Sequence, residues 1–255
     1  MSRCRPLLMP GLEISWLVAT PRPPLSHDEV HVWAVALNPP PEKISVLVAR
    51  LSREEQDRAQ KFRFDQHRHR FIVGRGALRA LLAGYVEVEP ALLEFAYSAR
   101  GKPSLTRGAS EIHFNMAHSD DLALIAITRL GAVGVDVERV RPMPDGERIA
   151  ERFFSAGELN SFRTVPAALR DAAFFNLWTR KEAWLKATGD GIAESLSKIE
   201  VAFLPDEAPR VRSIAGDAAA GAAWKLCALN PAEGFVGALA IQSPGARLSC
   251  RRIQI

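Results

Sequence analysis

Three acidic side chains and a lysine define the chemistry open to this chain. Gly134-Val135-Asp136-Val137-Glu138 alternates apolar and acidic residues, so a strand turns both Asp136 and Glu138 to one face. Some forty-five residues on, Trp178-Thr179-Arg180-Lys181-Glu182-Ala183-Trp184-Leu185-Lys186 repeats Trp178, Glu182 and Lys186 every four residues, one stripe of a helix. A strand edge with two carboxylates, faced by a helix offering a third, is an oxygen donor set for a hard cation. Such a cation keeps some of its water and takes phosphate oxygens as well. Together the two motifs suit a magnesium-pyrophosphate reaction.

Each motif also has a plainer reading. Asp136 and Glu138 would equally form the polar face of an exposed strand. Glu182 and Lys186 would equally be a surface helix pair contributing about 0.2–0.5 kcal/mol. Against the first, Asp is unusual inside strands, and two like charges on one face repel unless a cation separates them. Against the second, Phe174, Phe175, Leu177, Trp178, Trp184 and Leu185 crowd the same helix. A carboxylate there is partly buried and needs a partner or a metal. Gly134, just before the acidic pair, permits close backbone approach by a ligand. His118, at a strand end beside Ser119-Asp120, is a structural histidine, a phosphate contact or a general acid/base. Lys102 lies in the turn Arg100-Gly101-Lys102-Pro103 and is either a ligand contact or an exposed loop lysine. His67 and His69 are not a zinc pair, because a helix points the two rings apart.

Bulk properties narrow the classes. At 255 residues and 47% hydrophobic, the chain buries a core without needing disulfides or metal. Cys4, Cys227 and Cys250 are odd in number and widely spaced, which favours a reducing cytoplasm. No segment reaches the apolar length of a membrane span, and Leu12–Val18 is too short and broken for a signal peptide, so no membrane association is expected. The net charge is +4, with Arg58, Lys61, Arg63, Arg68, Arg70, Arg75 and Arg79 clustered near His67 and His69. That cluster suits a polyanion (nucleic acid, a polyphosphate ligand or an acidic partner protein) or is a solvated helical face. No nucleic-acid-binding signature accompanies it, so no nucleic acid is expected as partner.

The elements that must hold these residues alternate in type. Residues 1–28, rich in proline, read as an irregular extension. A strand is predicted over His31–Leu37 and a helix opening at Pro41-Glu42, followed by a helix capped by Ser52 and Glu55. A further helix runs from His67 to Leu82 and stops at Gly84. Strands follow over Leu93–Tyr97, Ile112–Met116, Leu122–Arg129 and Ala132–Val137, the last two joined by a Leu130-Gly131 hairpin. Helices over Gly146–Phe153, Ser155–Phe162 and Ala167–Thr188 precede strands near Ile199–Leu204, Trp224–Leu229 and Phe235–Ile241. Helices and then antiparallel strands, twice over, predict an α+β chain of two similar lobes.

These segments resemble the 4′-phosphopantetheinyl transferases, in their longer two-lobed Sfp type. The resemblance rests on Gly134–Glu138 and Trp178–Lys186. It is supported by Arg70 with Gly74-Arg75, Gly101-Lys102-Pro103, Asn115-Met116-Ala117-His118-Ser119 and Arg152-Phe153-Phe154-Ser155. It covers about residues 50 to 190. It implies a pseudo-dimer of lobes, each an antiparallel sheet packed with helices, with the active site at the lobe interface. Residues 29–131 would then form a lobe binding coenzyme A, and residues 132–255 a lobe with the metal site and the carrier-protein contact.

The family moves the phosphopantetheine arm of coenzyme A to a serine of an acyl or peptidyl carrier protein, releasing adenosine 3′,5′-bisphosphate. The resemblance implies magnesium (Mg2+) on Asp136, Glu138 and Glu182, with Glu182 also deprotonating the serine and Lys186 meeting the pyrophosphate. Arg70, Arg75, Gly101, Lys102, Pro103, Asn115, His118 and Ser119 would hold coenzyme A. An acidic carrier and a monomeric enzyme are expected. Ala117 replaces a serine common in the family, removing one hydroxyl contact, and Val137 between the acids cannot ligate. The competing readings are another magnesium-dependent phosphoryl or nucleotidyl transferase, which lacks a phosphate-cradling glycine loop here, and a non-catalytic homologue that grips coenzyme A or carrier proteins.

Overall fold

The computed structural model describes residues 15–18, 24–106, 111–189, 196–204 and 207–253. Cys4 and most of the proline-rich extension lie outside them. Along the first half run β1 (Trp16–Val18), β2 (Glu29–Ala36), α1 (Pro41–Val48), α2 (Arg53–Gln60), α3 (Asp65–Val86), β3 (Phe95–Tyr97), β4 (Pro103–Leu105), β5 (His113–Ser119) and β6 (Leu122–Thr128). The second half holds β7 (Val133–Arg139), α4 (Gly146–Phe153), α5 (Ala156–Thr164), α6 (Ala167–Thr188) and β8 (Ile199–Val201). It closes with β9 (Val211–Ile214), α7 (Ala218–Ala222), β10 (Lys225–Leu229), β11 (Phe235–Ile241) and β12 (Arg247–Ile253). This is an α+β fold. The chain divides after Gly131 into two compact units, and β12 belongs with the first. No described helix is long and apolar enough to cross a membrane.

In the first unit a five-stranded sheet has the order β1-β12-β2-β6-β5. β1, β12 and β2 are parallel neighbours, whereas β2, β6 and β5 are antiparallel. The expected purely antiparallel sheet is therefore corrected to a mixed one. Parallel neighbours need a long crossover, and here most of the chain serves as that crossover. Two boundaries move with it. Residues 247–253 leave the second unit, and Trp16–Val18, expected to be irregular, form an edge strand. Arg252 lies 5.7 Å over the Trp16 ring. Trp33, Val35, Phe114, Ile125 and Ile127 form a core with Val73, Ala77, Leu78 and Leu81 of α3.

Ser52 and Glu55 form the predicted capping box of α2. α3 does not stop at Gly84 but at Glu87, whose φ of 55° lets its N–H close on Ala83. A mid-helix glycine costs about 1 kcal/mol relative to alanine, and burial of Leu81, Leu82 and Ala83 beside it offsets that. The Leu130-Gly131 hairpin is absent. β6 already has β2 and β5 on its two edges, so β7 pairs with β11 instead. The tight hairpin is one strand earlier, where Asp120, at a φ of 47°, and Asp121 join β5 to β6.

In the second unit β10, β11 and β7 form an antiparallel sheet, and α6 packs across β7 and β11. α6 begins and ends where the sequence predicts, running from after Pro166 to Gly189, whose φ of 78° supplies the left-handed cap. Its aromatic side joins a core of Phe154, Phe162, Phe174, Phe175 and Leu177. The indole of Trp178 is part of that packing, stacked on Phe174 at 5.9 Å. A small ladder, β8 with β9, and the short α7 complete the unit.

Candidate active site

Gly134, Asp136 and Glu138 share the face of β7 that meets α6, as the period of two requires. Contact is tightest at Gly134, where a Cβ would stand 2.0 Å from the Ala183 carbonyl oxygen and 2.4 Å from the Ala187 nitrogen. No side chain fits there. The glycine thus serves the approach of a helix, not of a ligand as the sequence suggested. One residue pair further, Asp136 is 5% exposed and Glu182 8% exposed, so both carboxylates are sunk between strand and helix. The Lys186 ammonium stands 2.5 Å from Asp136 Oδ1.

Burial dominates the electrostatics. It pushes the Asp136 carboxyl up to about 7, with Lys186 pulling the other way and Glu182 and Glu138 adding repulsion. Glu182 is raised for the same reason, again against Lys186 and with Glu138 adding to it. Asp136 Oδ2 and Glu182 Oε1 are buried and accept no hydrogen bond among the described residues. Two orphaned carboxylate oxygens around one ammonium are what a hard cation's inner shell requires. Glu138 is more open and lies 3.5 Å from Arg141. Among the described residues no three His, Cys, Asp or Glu side chains, Asp136, Glu138 and Glu182 included, stand together as a group that could hold a metal ion.

The remaining predicted residues lie in the first unit. Arg70 is fixed by Asp121, whose Oδ1 accepts from Nε at 2.9 Å and Nη2 at 2.8 Å. It borders a cavity of about 370 Å³ with Asn38, Gln66 and His69. Gly101, at a φ of 79°, turns β3 into β4, a strand the sequence did not reveal, and Tyr97 pairs with Pro103. Lys102 is half-buried in that turn, and burial pulls its pKa down. Asn115 and Ser119 share one face of β5 while His118 occupies the other, so the motif does not present them together.

Arg75 is held by protein partners. Its Nε donates to Glu55, its Nη2 donates to Tyr97 Oη at 3.0 Å, and its guanidinium lies 4.2 Å over the Phe95 ring. Arg79, 2% exposed, donates to the same Glu55. At these two positions the basic cluster is a structural network, buried at Arg79 and partly exposed at Arg75. The capping box accounts for Glu55 and Ser52 and gave no sign of these arginines, 20 and 24 positions away. The sequence carried no sign of Asp121 either, which meets Arg70 across 51 positions.

Two family models match consecutive stretches of the chain. Residues 35–129 match the 4′-phosphopantetheinyl transferase N-terminal model, and residues 132–240 match the 4′-phosphopantetheinyl transferase superfamily. The 4′-phosphopantetheinyl transferase HetI of Nostoc is 41% identical over 92% of this chain and 96% of its own length. The chain belongs to the 4′-phosphopantetheinyl transferases. Further members of this family with similar sequence include psf-1 of Bacillus pumilus, 33% identical over 69% of this chain and 76% of its own. Sfp of Bacillus subtilis is 25% identical over 61% of this chain and 68% of its own. The phosphopantetheinyl transferase motifs Gly134–Glu138 and Trp178–Lys186 both fall inside the second matched stretch.

Proposed function

We propose that this enzyme transfers the 4′-phosphopantetheine arm of coenzyme A to a serine of an apo acyl or peptidyl carrier protein, with magnesium at Asp136, Glu138 and Glu182. The supporting observation is the pair of buried carboxylates, each with an unpartnered oxygen, beside Lys186. A cation held there supplies positive charge to the pyrophosphate oxygens. Glu182, its basicity raised by burial, takes the serine proton. The serine oxygen forms a bond to the pantetheine-side phosphorus. The bond from that phosphorus to the bridging oxygen breaks, and adenosine 3′,5′-bisphosphate leaves. Lys186 stabilises charge as it develops on the phosphate oxygens.

Arg70, Lys102 and His118 contact the nucleotide phosphates in this reading, Asn115 and Ser119 support them, and Gly101 and Pro103 shape the turn beside the adenine. Arg75 acts through the β3–β4 hairpin it braces. The partner is an acidic carrier domain, complementary to the net charge of +4, and the enzyme is a monomer. Mass spectrometry of an apo carrier protein incubated with enzyme, coenzyme A and magnesium tests the proposal. The carrier gains the mass of phosphopantetheine, and adding a chelator abolishes the gain. An unmodified carrier would leave only a binding homologue, and modification unaffected by chelation would remove the metal.

A further inference from the structure

The helix bearing Glu182 is anchored by a buried ion pair that the chemistry above does not use. Lys181 has no exposed surface and Glu158 is 1% exposed. The Lys181 ammonium stands 2.5 Å from Glu158 Oε2 and donates to the carbonyls of Leu196 at 2.7 Å and Ile199 at 2.8 Å. Those three acceptors match the three donors of an ammonium. Glu158 is equally committed. Its Oε2 accepts from Ser155 N at 2.9 Å in the α5 capping box, and its Oε1 accepts from Val201 N at 2.9 Å. The preceding residue, Arg180, is also buried, and its Nη1 donates to the carbonyl of Ala202. Consecutive residues of α6 thus grip the 196–202 segment and, through Glu158, the start of α5.

The opposite side of α6 meets β7 with no slack, because a Cβ at Gly134 would overlap the Ala183 carbonyl. Between these two contacts the roll of α6 about its axis is set. A side-chain tip about 5–6 Å from a helix axis moves ~1 Å for a roll of about 10°. A displacement of ~1 Å at reacting groups costs on the order of 100-fold in rate. A satisfied buried pair is weak evidence for stability, since an apolar replacement of like volume is often neutral. We propose that Lys181 and Glu158 are positioning residues, which set the roll of α6 and so hold Glu182 and Lys186 against Asp136. The inference rests on the transferase reading above.

The test uses the full chain with Lys181→Met together with Glu158→Gln. This removes both charges, keeps side-chain volume and leaves an amide oxygen for one of the two backbone donors that Glu158 serves. Glu158→Gln alone is the second variant, should the double substitution fail to fold. We expect kcat per folded molecule to fall ~10- to 100-fold with the KM for coenzyme A within about twofold of wild type, while the melting temperature falls further in Glu158→Gln alone, where the buried Lys181 ammonium loses its counter-charge. Wild-type kcat per folded molecule in both variants would overturn the proposal. So would a loss of activity that merely tracks a loss of folded protein. Wild-type enzyme assayed alongside separates the two readings, because absence of transfer there sinks the function and this inference with it.

Discussion

The Lys186 ammonium and the Asp136 carboxylate, 2.5 Å apart, join α6 to β7 at the centre of the candidate site. Lys186 is thus the counter-ion of a buried acid, and in the proposed reaction it would also meet the pyrophosphate. Its attraction offsets only part of the burial cost of Asp136, whose carboxyl stays raised. The site holds more carboxylate charge than Lys186 neutralises, and that excess repels a phosphate unless a cation enters with it.

Glu182→Gln preserves shape and one oxygen while removing charge and basicity. We expect it to bind coenzyme A nearly as wild type does and to turn over ~100- to 10,000-fold more slowly, the usual loss for a positioned base. Single-turnover transfer with saturating carrier measures this. Retention of more than about a tenth of wild-type rate would move the base elsewhere, His118 being next.

Gly134→Ala separates crowding from backbone strain. Its Cβ would overlap α6 backbone that cannot yield, so we expect a loss of about 3 kcal/mol or more in denaturant unfolding. At Gly101 a Cβ meets nothing within 4 Å, and only the φ of 79° opposes alanine. Gly101→Ala is expected to cost about 1–2 kcal/mol. Equal losses at the two positions would refute the distinction.

Lys102→Ala and Arg70→Ala are expected to raise the KM for coenzyme A about tenfold with kcat within a few-fold, since contacts made alike in ground and transition states are lost. Rising salt narrows the difference from wild type by screening the same contacts. Steady-state kinetics at two ionic strengths would show otherwise if kcat alone fell.

His31 gives the first unit a pH dependence with a definite sign. Its Nδ1 lies 2.6 Å from Tyr85 Oη, which accepts from Trp33 Nε1 at 3.0 Å. Burial lowers the His31 pKa from 6.5 to about 4, with Arg251 pushing the same way and Glu29 opposing. The unfolded chain therefore takes up a proton below about pH 6.5 that the folded chain refuses until about pH 4, so this contribution to stability falls across that window as pH drops. Urea midpoints at pH 7 and pH 5 should differ more for wild type than for His31→Gln. Equal differences would dismiss the buried neutral imidazole.

What was legible in the sequence was what is local. The alternation at Val135–Val137 and the four-residue stripe of α6 each carry their own period, so strand and helix follow from short windows, whereas the meeting of Asp136 with Lys186 across 50 positions does not. The Leu130-Gly131 hairpin misled because it obeys a local rule while strand pairing is decided globally, by which edges of β6 remain open. Arg70 with Asp121, Lys181 with Glu158 and β12 with β2 leave no mark in any short window. The pairing of Arg75 with Glu55 was hidden for a related reason, since only the fold brings Glu55 beneath it.

β12 lies between β1 and β2, and Arg247 reaches Asp28 across 219 positions of sequence. During synthesis, therefore, the slot between the first two strands stays open until residues 247–253 leave the ribosome. Until then the exposed edge of β2 is a template for strands of other chains. Deleting residues 247–253 would leave β1 with no neighbour to hold it.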